Sequence, residues 1–193
     1  MILPIYLYGH PVLTTEAREV APDEPGLGQL IQNMKDTMYA SDGIGIAAPQ
    51  VGHSLQLVYI DVDALKGDLP DLAGVNMVLI NPVITIDETS PVMTREEGCL
   101  SVPGIHEKVE RHEHIHVHYY DENWQEHDVD VEGYLARVIQ HECDHLHKTL
   151  FVDRVAGYRK MMIRPRLNNI ARGKVDADYQ VRVAPAGASR RRK

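Results

Sequence analysis

The sequence predicts an α+β fold: largely antiparallel β-sheets around a central helix that carries a His-Glu-x-x-His motif. Three observations predict it. Strand-like and helix-like stretches are segregated along the chain rather than strictly alternating, which argues against a doubly wound parallel sheet. The strand-like runs are β-branched and bounded by turn residues. One amphipathic stretch, starting at Gly133, carries His141, Glu142 and His145 at helical spacing.

The elements follow in chain order. Leu27, Leu30, Ile31, Met34 and Met38 recur as one face of a helix packed on a core. "DGIGIAAPQVG" (42–52) is too rich in Gly and Pro for a regular element and reads as a loop. "LQLVYID" (55–61) and "MVLINPVITI" (77–86) read as strands. "HIHVHYY" (114–120) alternates His114, His116 and His118 with Ile115, Val117 and Tyr119, the period of a half-buried strand. "DENWQEH" is the turn into a further short strand. Leu135, Val138, Ile139 and Leu146 form the apolar stripe of the motif helix. "GYRKMMI" (157–163) begins a last helix that Pro165 is expected to kink or interrupt. "DYQVRVAP" (178–185) reads as a final strand, and "AGASRRRK" as disordered. Without repeats or a linker, the expected organisation is one catalytic domain over 1–184 and a basic, disordered tail over 185–193.

At 193 residues, 44% hydrophobic and 25% charged, the chain has the make-up of a one-domain globular protein. It has no apolar run of membrane-spanning length and no signal-peptide pattern at its start, so the expectation is a cytoplasmic protein without a membrane partner. With only Cys99 and Cys143, a disulfide framework is not expected, and a thiolate used for chemistry in a reducing compartment fits better. The net charge of −8 conceals a division: from Arg154 onward twelve Lys/Arg face two Asp/Glu, leaving eight against 26 before it, or +10 on −18. Such an end is either a nucleic-acid contact or a solvated tail.

His141 and His145 leave one helix face a turn apart with Glu142 between them, the pattern of helical zinc hydrolases in which the glutamate is the general base. A third ligand is needed. No glutamate follows Glu142, and His147 points to the far side of the helix. Upstream, Cys99 in "EEGCLSVPG" offers a thiolate, and one Cys with two His is a catalytic set that leaves a fourth position for water. Cys143 sits opposite the histidines and reads as core packing. "HIHVH" reads as a solvent-facing histidine stripe in preference to a second metal site. Two competing classes remain in view. A zinc endopeptidase leaves "EEGCLSVPG" unexplained, and a closed structural zinc module does not fit three ligands beside a glutamate.

"GIGIAAPQVG" (43–52), "EEGCLSVPG" (96–104) and "QHECDHL" (140–146) occur in this order, and together they resemble the three signature segments of the peptide deformylases. The resemblance covers roughly residues 1–155. It implies an enzyme that removes the formyl group from the N-terminal formylmethionine of new polypeptides. Cys99, His141 and His145 would be the metal ligands and Glu142 the general acid/base. Gln50 and the backbone N–H of Leu100 would face the developing oxyanion, and Ile44, Gly45 and Val138 would meet the substrate. It further implies Fe²⁺ in the cell, with Zn²⁺, Ni²⁺ or Co²⁺ in purified protein, and an ion pair of Arg111 with Glu97 holding the Cys99 loop. Some members carry arginine seven residues after the metal cysteine, where this chain has His106. Formyl-Met nascent peptides are the expected partners. The ribosome is a further one, reached through the basic end.

Overall fold

The computed structural model describes residues 1–185. All but the first residue of the expected tail therefore lies outside the described residues.

The chain runs through β1 (Ile5–Tyr6), α1 (Leu27–Ala40), β2 (Gly45–Ala47), β3 (Leu57–Asp61), β4 (Asn76–Ile86), β5 (Val92–Glu97), β6 (Glu107–His112), β7 (His114–Tyr120), β8 (Glu126–Glu132), α2 (Gly133–Leu146), α3 (Phe151–Arg154), α4 (Gly157–Ala171) and β9 (Val181–Arg182). Five strands form one sheet in the order β2-β3-β4-β7-β8, every pair antiparallel. β5 and β6 make a separate antiparallel hairpin, and β1 pairs in parallel with β9. The fold is α+β, as the segregated elements predict.

Period-2 alternation in β3 divides the core. Val58 and Ile60 face α2, in a cluster with Val117, Ile139 and Cys143. Leu57 and Tyr59 face the other way, onto Met34 and Met38 of α1. A third cluster joins Val109 of β6 to Phe151, Ile163, Leu167 and Ile170. The helix α2 lies among these layers with every residue from Ala136 to Leu146 buried. A helix enclosed in this way can present polar side chains only to interior partners, so its histidines, Glu142 and Asp144 must be satisfied by protein or by a ligand. Cys143 is buried in the core, as its position on the helix implies.

Four elements depart from expectation. Residues 42–52, read as a loop, contain β2, which pairs with β3. The β5–β6 hairpin has no apolar alternation to mark it. β6 points Glu107, Val109 and Arg111 inward, so two of its three core-facing positions are charged. Pro165 does not interrupt α4, which continues to Ala171. The proline lies on the exposed face, where water can satisfy the carbonyl it leaves unbonded, while Ile163, Leu167 and Ile170 hold the opposite face down. The final strand shortens to the two residues of β9. At the bulge in β4, Asn81 has φ 51° and its side chain bonds the backbone N–H and C=O of Val20 at 2.8 and 3.0 Å. That explains how a strand tolerates the neighbouring Pro82.

The histidine stripe of β7 stands opposite acids of the edge strand β8: His114 faces Glu132, His116 faces Asp130 and His118 faces Asp128. His116 has Asp128 at 2.6 Å and Asp130 at 2.8 Å, and these hydrogen bonds raise its pKa above the ordinary 6.5. The folded chain thus holds this proton more tightly than the unfolded chain. The resulting stabilisation is complete below pH 6.5 and disappears as pH rises through the raised value. An NMR titration of His116 is expected to give a midpoint above 6.5, which falls in Asp128→Asn/Asp130→Asn. The melting temperatures of the two proteins should converge as pH rises through that midpoint.

Candidate metal centre

The ligand-capable atoms of Cys99, His141 and His145 lie within 4.8 Å of one another. Cys99 Sγ and His145 Nε2 are 3.4 Å apart. Ligands about 2.0–2.3 Å from a tetrahedral ion stand roughly 3.5 Å from each other, and the Cys99–His145 spacing matches that value. The histidines come from successive turns of α2, with ring centroids 5.3 Å apart. Cys99 comes from the loop that leaves β5 two residues after Glu97.

His141 is oriented by Glu97, whose Oε2 lies 2.8 Å from Nδ1. With Nδ1–H donating there, the lone pair of Nε2 is free for a metal. Glu97 also receives Arg111 Nε and Nη2 at 2.6 and 2.9 Å and Arg137 Nη1 at 2.8 Å. Burial opposes the charge on Glu97, but the hydrogen bonds from Arg111 and His141 outweigh it and hold the carboxyl well below the usual range. Arg111 continues to Asp144 at 2.9 Å, and Asp144 accepts Arg154 Nε at 2.6 Å. The Glu97–Arg111 pair expected from the resemblance is thus part of a larger network. Arg137, Asp144 and Arg154 escaped the sequence reading. A signal existed for Arg137: it lies one turn before His141, on the same side of the helix.

The other expected residues gather around the same centre. Gln50 is 1% exposed. Its Oε1 accepts the Ala47 N–H at 2.8 Å, which leaves Nε2 facing Cys99 Sγ at 3.4 Å. Leu100 N–H has no acceptor among the described residues, whereas its carbonyl accepts the Tyr179 hydroxyl at 2.7 Å. Glu142 is 4% exposed, its Oε2 has no protein partner, and burial pushes its pKa up to about 7. Gly45 lies against it: a Cβ there would come within 2.5 Å of Glu142 Oε1. A Cβ on Gly98 would meet the His106 ring at 2.7 Å. Both glycines border a cavity of about 510 Å³ whose lining includes Ile44, Gln50, Cys99, Val138, His141 and Glu142. β2, the strand that carries Gly45, is an edge strand of its sheet, the kind of element to which an extended chain can add.

A buried helix bearing His-Glu-x-x-His, a converging thiol and an open groove define a metal-dependent hydrolase. The chain belongs to the polypeptide deformylase family, whose model matches residues 2–161. It is similar to a peptide deformylase of Chlorobaculum tepidum, 48% identical over 93% of each chain, and to one of Christiangramia forsetii, 42% identical over 98% of this chain and 100% of the other. Among solved structures, the peptide deformylase of Legionella pneumophila superposes with a TM-score of 0.78 at 36% identity, covering 90% of this chain and 98% of that one. The Synechococcus elongatus peptide deformylase, solved in complex with actinonin, gives 0.73 at 41% identity, covering 94% and 92%. No helix among the described residues is long and apolar enough to cross a membrane.

The ion network makes a stability prediction. Arg111→Ala leaves Glu97 and Asp144 buried without their main cation. The expected loss is about 3–5 kcal/mol, read from the urea unfolding midpoint, whereas removing the exposed Lys66 partner of Asp63 should leave the midpoint nearly unchanged.

Proposed function

We propose that this chain, as one catalytic domain over residues 1–184, removes the N-formyl group from the formylmethionine that begins newly made polypeptides. The observation that carries the reading is the convergence of Cys99, His141 and His145 beneath a groove into which Glu142 turns an unpartnered carboxylate oxygen. The family match and the names of the relatives support it further.

Cys99, His141 and His145 would hold the metal, Fe²⁺ in the cell, with Zn²⁺, Ni²⁺ or Co²⁺ able to replace it. When bound, the metal lowers the pKa of water toward about 7 and polarises a carbonyl. Glu142 takes a proton from the attacking water and delivers it to the departing amine, so that the formamide and one water yield formate and a free N-terminus. Gln50 Nε2 and the unpaired Leu100 N–H receive the formyl oxygen as it gains charge. Donors already held in place need no reorganisation at that moment. The methionine side chain enters between Ile44 and Val138, and the Gly45 backbone bonds the peptide main chain.

The direct test is formate release from formyl-Met-Ala-Ser under anaerobic conditions, with metal analysis. Cys99→Ala is expected to lose both metal and turnover, and Cys143→Ala neither. Glu142→Gln should keep the metal and lose about 10²–10⁴-fold in rate; a loss below about tenfold would remove its assigned role.

The basic end supports a second, finer element: docking on ribosomal RNA. Arg154, Arg159 and Lys160 are engaged with Asp144, Glu107 and Asp153, so among the described residues the charge without an ion-pair partner includes the exposed Arg164, Arg172, Lys174 and Arg182, while Arg190–Lys193 lie outside the described residues. Deleting residues after Ala184 is expected to weaken ribosome co-sedimentation by about tenfold at low salt while short-peptide turnover stays within about twofold. Undiminished binding by the shortened chain would mean that the end is only a solvated tail.

A further inference from the structure

The family match ends at residue 161, yet the cavity does not. After α4 the chain turns back, and residues Asp176 to Tyr179 form part of the cavity wall. The return is anchored at several points. Ile5 N–H bonds Gln180 O and Leu7 N–H bonds Arg182 O, each at 2.8 Å, as β1 pairs with β9. Tyr8 N–H bonds Ser101 O at 2.8 Å, and the Tyr179 hydroxyl bonds Leu100 O. The loop bearing Cys99 and Leu100 is thereby held between the N-terminal strand and this returning segment.

The segment places two carboxylates, Asp176 and Asp178, on the exposed rim of the groove. Asp42, also exposed, lines the same cavity. Its neighbour Gly43 packs on the Leu100 side chain, where a Cβ would come within 3.1 Å of Cδ1, and Leu100 in turn carries Tyr179. None of the three aspartates has an ion-pair partner among the described residues. Glu96 also lines the cavity but faces Lys108 across the hairpin. The cations of the lining are Arg137, which is buried on Glu97, and His106 when protonated. The interior of the same cavity holds the buried, unpartnered Glu142 Oε2, which marks it as built for a ligand.

We infer that the returning C-terminal segment is a specificity wall: Asp176 and Asp178, together with Asp42, select peptides that carry a lysine or arginine at one of the two positions that follow the methionine. The inference rests on the deformylase reading and deepens it. The closed end of the groove at Glu142 and Val138 takes the formylmethionine, so the following residues must leave through the open rim. There an exposed carboxylate pair attracts a cationic side chain and repels an anionic one, in a field that salt screens.

The test compares kcat/KM of the full, metal-loaded chain on formyl-Met-Ala-Lys and formyl-Met-Lys-Ala with their glutamate counterparts. For at least one position the lysine peptide is expected to lead by about tenfold at low salt, shrinking toward twofold at 0.5 M salt. Asp176→Asn/Asp178→Asn should reduce the ratio to below about threefold, and Asp176→Lys/Asp178→Lys should invert it, which loss of structure alone cannot do. Lysine and glutamate peptides turned over alike, or a preference that survives both double variants, overturn this inference alone. No turnover of any formyl peptide overturns the deformylase reading and the inference with it.

Discussion

The structure depends first on Glu97. Its carboxylate lies where β5 ends, β6 passes and α2 begins its buried run, and it receives groups from each: Arg111 from β6, Arg137 and His141 from α2. Taking these charges out of water is costly, and a buried ion network is a poor source of net stability compared with well-packed apolar side chains. What it supplies is position. The bonds from Arg137 and His141 tie the strand that leads into Cys99 to the helix that bears both histidines, and Arg111 ties β6 to both through Glu97 and Asp144. The distance between thiol and imidazoles is then a property of the network and not of a flexible loop. Glu97 also selects the His141 tautomer, which decides which ring nitrogen faces the centre.

The chemistry of the centre was more legible in the sequence than the framework around it. His141, Glu142 and His145 are fixed by the pitch of one helix, and the absence of a downstream glutamate turns attention to Cys99. The loop carrying Gln50 has its own glycine signature. The β5–β6 hairpin was hidden because its inward positions carry Glu107 and Arg111, whose partners Arg159 and Asp144 lie far away in sequence. Hydropathy alternation reports burial only when the buried groups are apolar. Pro165 misled for a related reason. The rule against proline in a helix concerns the lost hydrogen bond and the ring clash, and it weakens on an exposed face next to a well-packed stripe.

The division of charge reads differently in three dimensions. The body of −18 and the end of +10 meet within the fold: Arg154 joins the buried network through Asp144, Arg159 binds Glu107, and Lys160 binds Asp153. Exposed pairs of this kind contribute little one by one. Arg154 differs because Asp144 is 8% exposed and would otherwise share one cation, Arg111, with Glu97. Part of what reads as a nucleic-acid signal in the sequence is therefore internal complementarity between α3, α4 and the acidic layer beneath them.

Several local rules of stability are broken around the metal centre. Glu142 keeps a buried oxygen without a partner, Leu100 keeps a backbone N–H without an acceptor, and Gly45 gives up its side chain where Glu142 needs the space. An unmet buried polar group costs about 1–3 kcal/mol, so several together cannot persist unless the surroundings hold them. The Glu97 network holds one side of the centre. The β1–β9 pair and the Tyr179 bond hold the Leu100 loop, and the Gln50 amide is locked by Ala47. Groups left unsatisfied inside rigid walls are groups waiting for a ligand, and here they surround one point beside a thiol and two imidazoles. The same reasoning extends past residue 161, where the family-model match ends. The returning segment supplies a bond that the Leu100 loop receives from no other residue, so the shape of the centre depends on a part of the chain that the shared motifs do not contain.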